Sequence, residues 1–362
     1  MTTSAYIHIP FCEHICTYCD FTKNFYNEDI AKKYLDALEI EIKEKYKHEE
    51  LKTLYIGGGT PTALSYDNLK RLLDITKIFQ FDKEYEFTVE VNPENITKEK
   101  LFLLKKYGVN RISIGVESTT FQFLNYLGRH HDFSLVQEKI SLIKEVGISN
   151  INVDLIYAIP NETLEDLLKD LENLVSLDVK HISTYSLEIH KNTILGIKKE
   201  KSISDEVDYK MYSLISNYLQ EKGFIHYEVS NFAKDGYFSC HNLVYWHNDE
   251  YYGFGLGASG YLNNIRYTNT KNIGCYIDKK WVFYEEELSL KDKISYELIL
   301  GFRLLGGINK KKFYQKYHKN LIDEFNIKDL IQKGDLIVDG DFLKINPCKI
   351  YVQNSILENF IE

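Results

Sequence analysis

Between residues 5 and 222 the chain repeats one rhythm six times: a short β-prone run, then an amphipathic helical run. The strand candidates are AYIHI (5–9), TLYIGGG (53–59), EFTVEV (86–91), RISIGV (111–116), INVDLIYAI (151–159) and HISTYSLEI (181–189). Helical spacing follows at Ile30, Tyr34, Leu38 and Ile42 within 28–47, then at Leu69, Leu72, Leu73 and Ile78. Further helices are expected after a cap near Thr97 and over about 134–146, 163–176 and 204–222. Strands that alternate with helices pair in parallel, with the helices packed outside. Six units are fewer than the eight of a closed TIM barrel, so the expected fold is α/β, a partial, open (β/α)6 barrel. In such barrels chemistry sits at the C-terminal ends of the strands.

The pattern changes after residue 223. YEVSNFA (227–233) reads as one strand and is followed by the aromatic, Gly-rich stretch SCHNLVYWHNDEYYGFGLGASGY. From about 285 the chain reads as helical, with ISYELILGFRLL as one helix and LIVDGDFLKI as a hairpin on an Asp-Gly turn. The expected division is a core barrel over 1–225, an aromatic extension over 226–284, and a smaller, mainly helical, winged-helix-like domain over 285–362.

A chain of 362 residues, 44% hydrophobic and 27% charged, has the composition of a globular protein. Its net charge of −9 argues against a general nucleic-acid surface. No secretory leader and no apolar run of spanning length is visible. The expected compartment is the reducing cytoplasm, where clustered cysteines read as metal ligands or redox groups before disulfides.

Cys12, Cys16 and Cys19 stand together in CEHICTYCDF, on the loop after the first strand. Three structural thiols at that density are uncommon. A zinc site would need a fourth ligand, with His14 or His8 available, and C-x3-C-x2-C is a poor zinc spacing. An iron–sulfur cubane fits better: three thiolates leave one of its four irons free for a small molecule. Cys275 and Cys348 are isolated and read as ordinary buried thiols.

C-x3-C-x2-C in this position resembles the signature of the radical S-adenosylmethionine (SAM) superfamily. YIHIPFC, the trailing CDF, GGGTPT, EVNP, RISIGV, LGRHH and NVDLIYAIP resemble the branch that holds oxygen-independent coproporphyrinogen III oxidases and heme chaperones of the HemW type. With the C-terminal region these segments cover nearly the whole chain, in family order. The resemblance implies a [4Fe–4S] cluster on Cys12, Cys16 and Cys19, with SAM completing the open iron. It implies SAM contacts by Gly58, Gly59 and Thr60, by Tyr6 in the first strand, and by Tyr18 through its backbone. Glycine turns admit close backbone approach, which suits that reading. Glu90, Arg129 and Asp154, charges set in or just after apolar strands, match family positions that bind SAM, and burial would oblige them to find partners. Two departures are Glu117, where the family carries Gln, and Ala158 for Gly in DLIYAIP. An ionised glutamate accepts hydrogen bonds but cannot donate them.

Within that branch three features favour a heme chaperone over a porphyrinogen-decarboxylating enzyme. The chain starts five residues before Tyr6, where the oxidase carries a long extension. Cys19 is followed by Asp20 and Phe21, where the oxidase has a further cysteine. His241–Trp246 matches an HNxxYW pattern associated with heme, which nominates His241, Tyr245 and Trp246, with Cys240 and His247 as lesser alternatives. The expected cargo is heme, and the expected partners are heme-accepting apo-proteins such as respiratory cytochromes. Cluster binding is compatible with a homodimer, and the resemblance admits peripheral association with a membrane. No catalytic residue is nominated.

Overall fold

The computed structural model describes residues 2–361. Six parallel strands form its centre: β1 (Ser4–Ile9), β2 (Glu50–Gly58), β3 (Gln80–Val91), β4 (Arg111–Glu117), β5 (Asn150–Tyr157) and β6 (His181–Ser186). They lie side by side in chain order, as the strand–helix rhythm requires. Helices α1 (Glu28–Lys45), α2 (Tyr66–Ile75), α3 (Lys98–Lys106), α4 (Phe133–Glu145), α5 (Leu164–Ser176) and α6 (Asp205–Glu221) alternate with them. Local chemistry fixes the helix starts: Asn27 and Thr97 cap α1 and α3, and Thr163 with Asp166 makes a reciprocal capping box at α5.

The strands depart in one respect from the continuous apolar runs usual in parallel sheets. Ile112, Ile114 and Val116 of β4, and Ile151, Val153 and Leu155 of β5, are fully buried under the helices. Their alternates, Arg111, Ser113 and Glu117, and Asn152 and Asp154, face the other way and line a cavity. Register places Ser113 beside Glu90 and Asn152, and Asp154 beside Ser183. The inside of the open barrel is therefore a polar chamber.

The segment after residue 223 completes this sheet at both edges. The run expected as one strand at 227–233 breaks at Val229 and Ser230 into an antiparallel pair, β7 (Ile225–Glu228) and β8 (Asn231–Ala233), and β8 pairs with β6. At the far edge β9 (Tyr252–Phe254) joins β1 in parallel. Between them the HNxxYW segment forms a short helix, α7 (Cys240–Trp246). One apolar core runs from Ala5 to Trp281, across residue 225. A second core spans Ile294–Phe360, with four α-helices and the expected hairpin at Leu336–Asp339 and Phe342–Ile345. A strand at Ile308–Asn309 makes this a three-stranded wing. The helix expected at ISYELILGFRLL starts earlier, at a Ser289–Asp292 capping box, and ends at Gly301. No helix among the described residues is long and apolar enough to cross a membrane.

Candidate cofactor site at the barrel mouth

The cysteine loop is closed by backbone before any ligand is considered. Phe11 and Cys12 pair in parallel with Asn24 and Phe25. Thr17 N–H donates to Leu127 O at 3.0 Å, and Leu195 N–H donates to Thr17 O at 3.0 Å. The loop is thus pinned from both flanks. All three thiols are free; Cys12 is buried, and Cys16 and Cys19 are half-buried. Burial pushes the Cys12 thiol up to about 11, against the pull of the Thr60 hydroxyl. Burial also raises Cys19, with Lys23 opposing. Cys12 and Cys19 therefore need compensating positive charge to become thiolates. Part of that compensation is built in: Arg129 Nη1 stands 3.5 Å from Cys16 Sγ, and Thr60 Oγ1 stands 3.9 Å from Cys12 Sγ.

The glycine turn presses against the loop. A Cβ at Gly59 would lie 2.9 Å from Cys12 Sγ and 2.8 Å from Phe11 O. Gly58 has φ +113, and a Cβ there would strike the His8 ring. Only glycine leaves room for backbone to reach a ligand at the sulfurs.

Below the thiols opens a cavity of about 440 Å³, within the size of a small-molecule site. Glu90 Oε1 accepts from Tyr55 OH at 2.7 Å, and its Oε2 accepts from Gly58 N–H at 2.9 Å. Glu117 accepts from the Tyr18 hydroxyl at 2.9 Å. Asp154 accepts from Asn152 Nδ2 at 2.8 Å and from Ser113 at 3.3 Å. Burial holds Glu90 and Glu117 up to about 7 and raises Asp154 as well. Arg129 donates to Gly115 O at 2.6 Å and to Asn92 Oδ1 at 3.0 Å; Asn92 in turn donates to Thr60 at 2.8 Å. Three carboxylates in one enclosed space suit a cationic ligand, and an arginine beside the sulfurs suits a ligand that also carries a carboxylate.

Of the residues nominated from sequence, the three cysteines, Tyr18, Gly58, Gly59, Thr60, Glu90, Glu117, Arg129 and Asp154 all border this cavity. Tyr6 does not. Its hydroxyl lies 2.9 Å from His8 Nδ1, and His8 Nε2 lies 2.7 Å from Thr22 O, so Tyr6 supports the loop from behind. His241 is buried with both ring nitrogens engaged, Nδ1 2.8 Å from Thr53 Oγ1 and Nε2 2.8 Å from Tyr245 OH. Its ring stacks on Tyr55. Trp246 Nε1 is buried without a hydrogen-bond partner. Cys240 and His247 are exposed. Cys275 is half-buried and Cys348 exposed, which corrects their reading as buried thiols: each sits near a short helical turn at the surface. Sequence reasoning missed Asn92, Arg111, Tyr55 and Asn242, which also line the cavity. The inward phase of β2 and β4 could have found Tyr55 and Arg111, and Asn242 is the second residue of the HNxxYW motif, in which only the ring-bearing residues were nominated.

Comparison with known proteins follows this geometry. The chain matches the radical SAM superfamily over residues 6–174 and the HemN C-terminal domain over residues 288–347. It is 40% identical to a heme chaperone HemW of Bacillus subtilis, over 91% of this chain and 92% of that protein. A heme chaperone HemW of Lactococcus lactis is 38% identical, over 99% and 97%. The heme chaperone HemW of Escherichia coli is 30% identical, over 99% and 98%. Among solved structures, the coproporphyrinogen III oxidase HemN of Escherichia coli, a radical SAM enzyme, superposes with TM-score 0.87, over 99% of this chain and 90% of that one. At 22% identity that likeness speaks to the fold.

Proposed function

Because the chain belongs to the HemW family of the radical SAM superfamily, we propose that it is a heme chaperone that binds heme, SAM and a [4Fe–4S] cluster and delivers heme to apo-proteins. The observation that carries this reading is full-length similarity to several HemW proteins, with both family segments in order. The thiol loop supports the cofactor part. Three sulfurs surround the mouth and the positions after Cys19 are Asp20 and Phe21, so the loop supplies no fourth thiolate.

In this proposal Cys12, Cys16 and Cys19 hold the cluster, and the cluster, when bound, supplies one iron without a protein ligand, open to the amino and carboxylate groups of SAM. Arg129 offsets the Cys16 thiolate and faces the ligand carboxylate. Gly58, Gly59 and Thr60 bring backbone to the ligand. Glu90, Glu117 and Asp154 provide negative charge for its amino group and sulfonium and acceptors for its hydroxyls. Tyr18 holds Glu117, and Tyr6 acts through His8. Work in a reducing cytoplasm fits the reliance on free thiols, and peripheral contact at a membrane rests on the family resemblance; both belong to the proposal. So does the division at residues 225 and 284.

His241, with Tyr245 and Trp246, enters the heme reading in one form only. Its imidazole reaches iron after the bonds to Thr53 and Tyr245 open. His241→Ala is accordingly expected to cost about 2–4 kcal/mol of stability, from two orphaned hydroxyls and a hole against Tyr55. Urea unfolding measures it. A variant of wild-type stability that no longer takes up heme would mean that the ring is already free.

Glu117 should make SAM binding depend on pH where Gln would not. Its carboxyl is held neutral to about pH 7, chiefly by burial. A cationic ligand prefers the ionised form, so affinity should rise as pH rises between roughly 6 and 8. Glu90 titrates in the same range. Glu117→Gln is therefore expected to make the rise shallower without abolishing it, as followed by equilibrium dialysis of SAM. An unchanged slope would remove Glu117 from the site.

The function itself is tested by anaerobic reconstitution. Stable heme uptake and transfer to an apo-cytochrome are expected. Conversion of coproporphyrinogen III to protoporphyrinogen IX with SAM and a reductant would replace the chaperone by the enzyme.

A further inference from the structure

At the floor of the chamber one charge makes no direct bond. Arg111 opens β4, only 2% exposed, with its side chain turned into the cavity. Its Nε has no partner, and among the described residues no carboxylate comes within ion-pair distance of its guanidinium. Glu90 and Asp154 feel its charge, but their hydrogen bonds come from neutral donors: Glu90 from Tyr55 and Gly58, Asp154 from Asn152 and Ser113. Asn242 of the HNxxYW helix borders the same cavity. Its backbone N–H caps onto Ser239, and among the described residues its side-chain amide makes no hydrogen bond. Arg111 feels Glu90 and Asp154 across the chamber without touching either, a buried guanidinium that makes no direct ion pair is costly, and the half-buried Asn242 amide keeps its donors and acceptor open to the cavity. Two such groups facing one cavity point to an acceptor supplied by a ligand.

We infer that Arg111 and Asn242 form a carboxylate subsite at the barrel floor. The ligand group is a single planar anion. A guanidinium meets a carboxylate through two parallel bonds. Glu90 and Asp154 face the same space and would repel a dianion such as phosphate. The subsite is distinct from the arginine at the mouth. Arg129 binds Gly115 O, four residues along β4 from Arg111, or about 13 Å at strand rise. The inference rests on the heme-chaperone reading in one respect: a tetrapyrrole brings propionate groups on one edge, and SAM brings a single carboxylate.

The experiment uses the full chain with its cluster reconstituted, as wild type, Arg111→Gln and Asn242→Ala. Three ligands are measured separately: heme, heme dimethyl ester with both propionates blocked, and SAM. The expected result is that wild type prefers heme to the diester by about tenfold or more, that Arg111→Gln brings the two to parity, and that Asn242→Ala narrows the gap. Loss confined to SAM, with the heme-to-ester ratio unchanged, would also support the subsite and assign its occupant to SAM. Arg111→Gln without effect on either ligand overturns it. If wild type takes up no heme at all, the chaperone reading falls and the SAM arm alone decides the subsite. Thermal unfolding guards against a structural explanation. Arg111 makes no direct ion pair and only offsets Glu90 and Asp154 through space, so Arg111→Gln should melt close to wild type. A lower melting point with unchanged binding would make Arg111 a structural counter-charge and overturn the proposal.

Discussion

Cys16→Ser should yield a folded chain that cannot keep a cluster: iron falling from about four per chain to a small fraction after anaerobic reconstitution, with the brown absorption lost. The fold should survive because the loop is closed by backbone. Asn24 N–H donates to Pro10 O at 2.6 Å, Tyr26 N–H to Cys12 O at 2.9 Å, and Thr17 N–H to Leu127 O at 3.0 Å. None of these bonds uses sulfur. The substitution also leaves Arg129 facing a hydroxyl in place of a thiol, a small change in volume at a half-buried position. Circular dichroism and thermal unfolding of the apo-protein should therefore match wild type. The other cysteines provide the control. Cys240 and Cys348 are exposed and Cys275 is half-buried, and none borders the cavity. Serine at each should leave iron content unchanged. Full iron in Cys16→Ser, or loss of iron in Cys275→Ser, would mean that the metal is held elsewhere.

The parts of this site that could be read from sequence are those whose signal is local. Three thiols in eight positions announce themselves. The alternation in RISIGVE and NVDL separates the inward Ser113, Glu117, Asn152 and Asp154 from the outward aliphatics, because successive strand residues face opposite sides. Helix caps at Thr97 and Thr163 follow from side-chain chemistry within four residues. Other parts depend on partners far away in the chain. His241 finds Thr53 across 188 positions, and its N–H and that of Cys240 both donate to Glu86. No spacing rule reports such a pairing, so the packing of the HNxxYW helix beneath the barrel could not be read from the motif. The addition of β9 to the β1 edge is hidden for the same reason. YGF is too short to read as a strand, and its register is set by β1, nearly 250 residues earlier.

Glu41 is the most consequential of these hidden groups, and Glu41→Ala is expected to destabilise the protein by about 3–5 kcal/mol. The carboxylate sits on α1, fully buried, on a helix whose apolar spacing gives no hint of it. Lys45 donates to it at 2.6 Å, Asn269 Nδ2 at 2.7 Å, Gly255 N–H at 2.9 Å and Tyr276 OH at 2.5 Å. Removing it abandons four donors at once, and a buried donor without an acceptor loses its full solvation. The same junction reaches the cysteine loop. Tyr34, stacked on Tyr276, donates to His8 O at 2.6 Å and accepts from Leu256 N–H at 3.0 Å, and His8 holds Thr22 inside the loop. Loosening Glu41 should therefore also speed cluster loss from the reconstituted protein, although the residue lies outside the cavity. Glu41→Gln keeps one oxygen but turns an amide toward the donors, so it should fall between wild type and alanine. Urea unfolding and the rate of iron release under a chelator measure the two effects. If the alanine variant unfolds at the wild-type midpoint, α1 is held by its apolar face alone. If it is destabilised while iron release stays unchanged, the loop is anchored independently of this network.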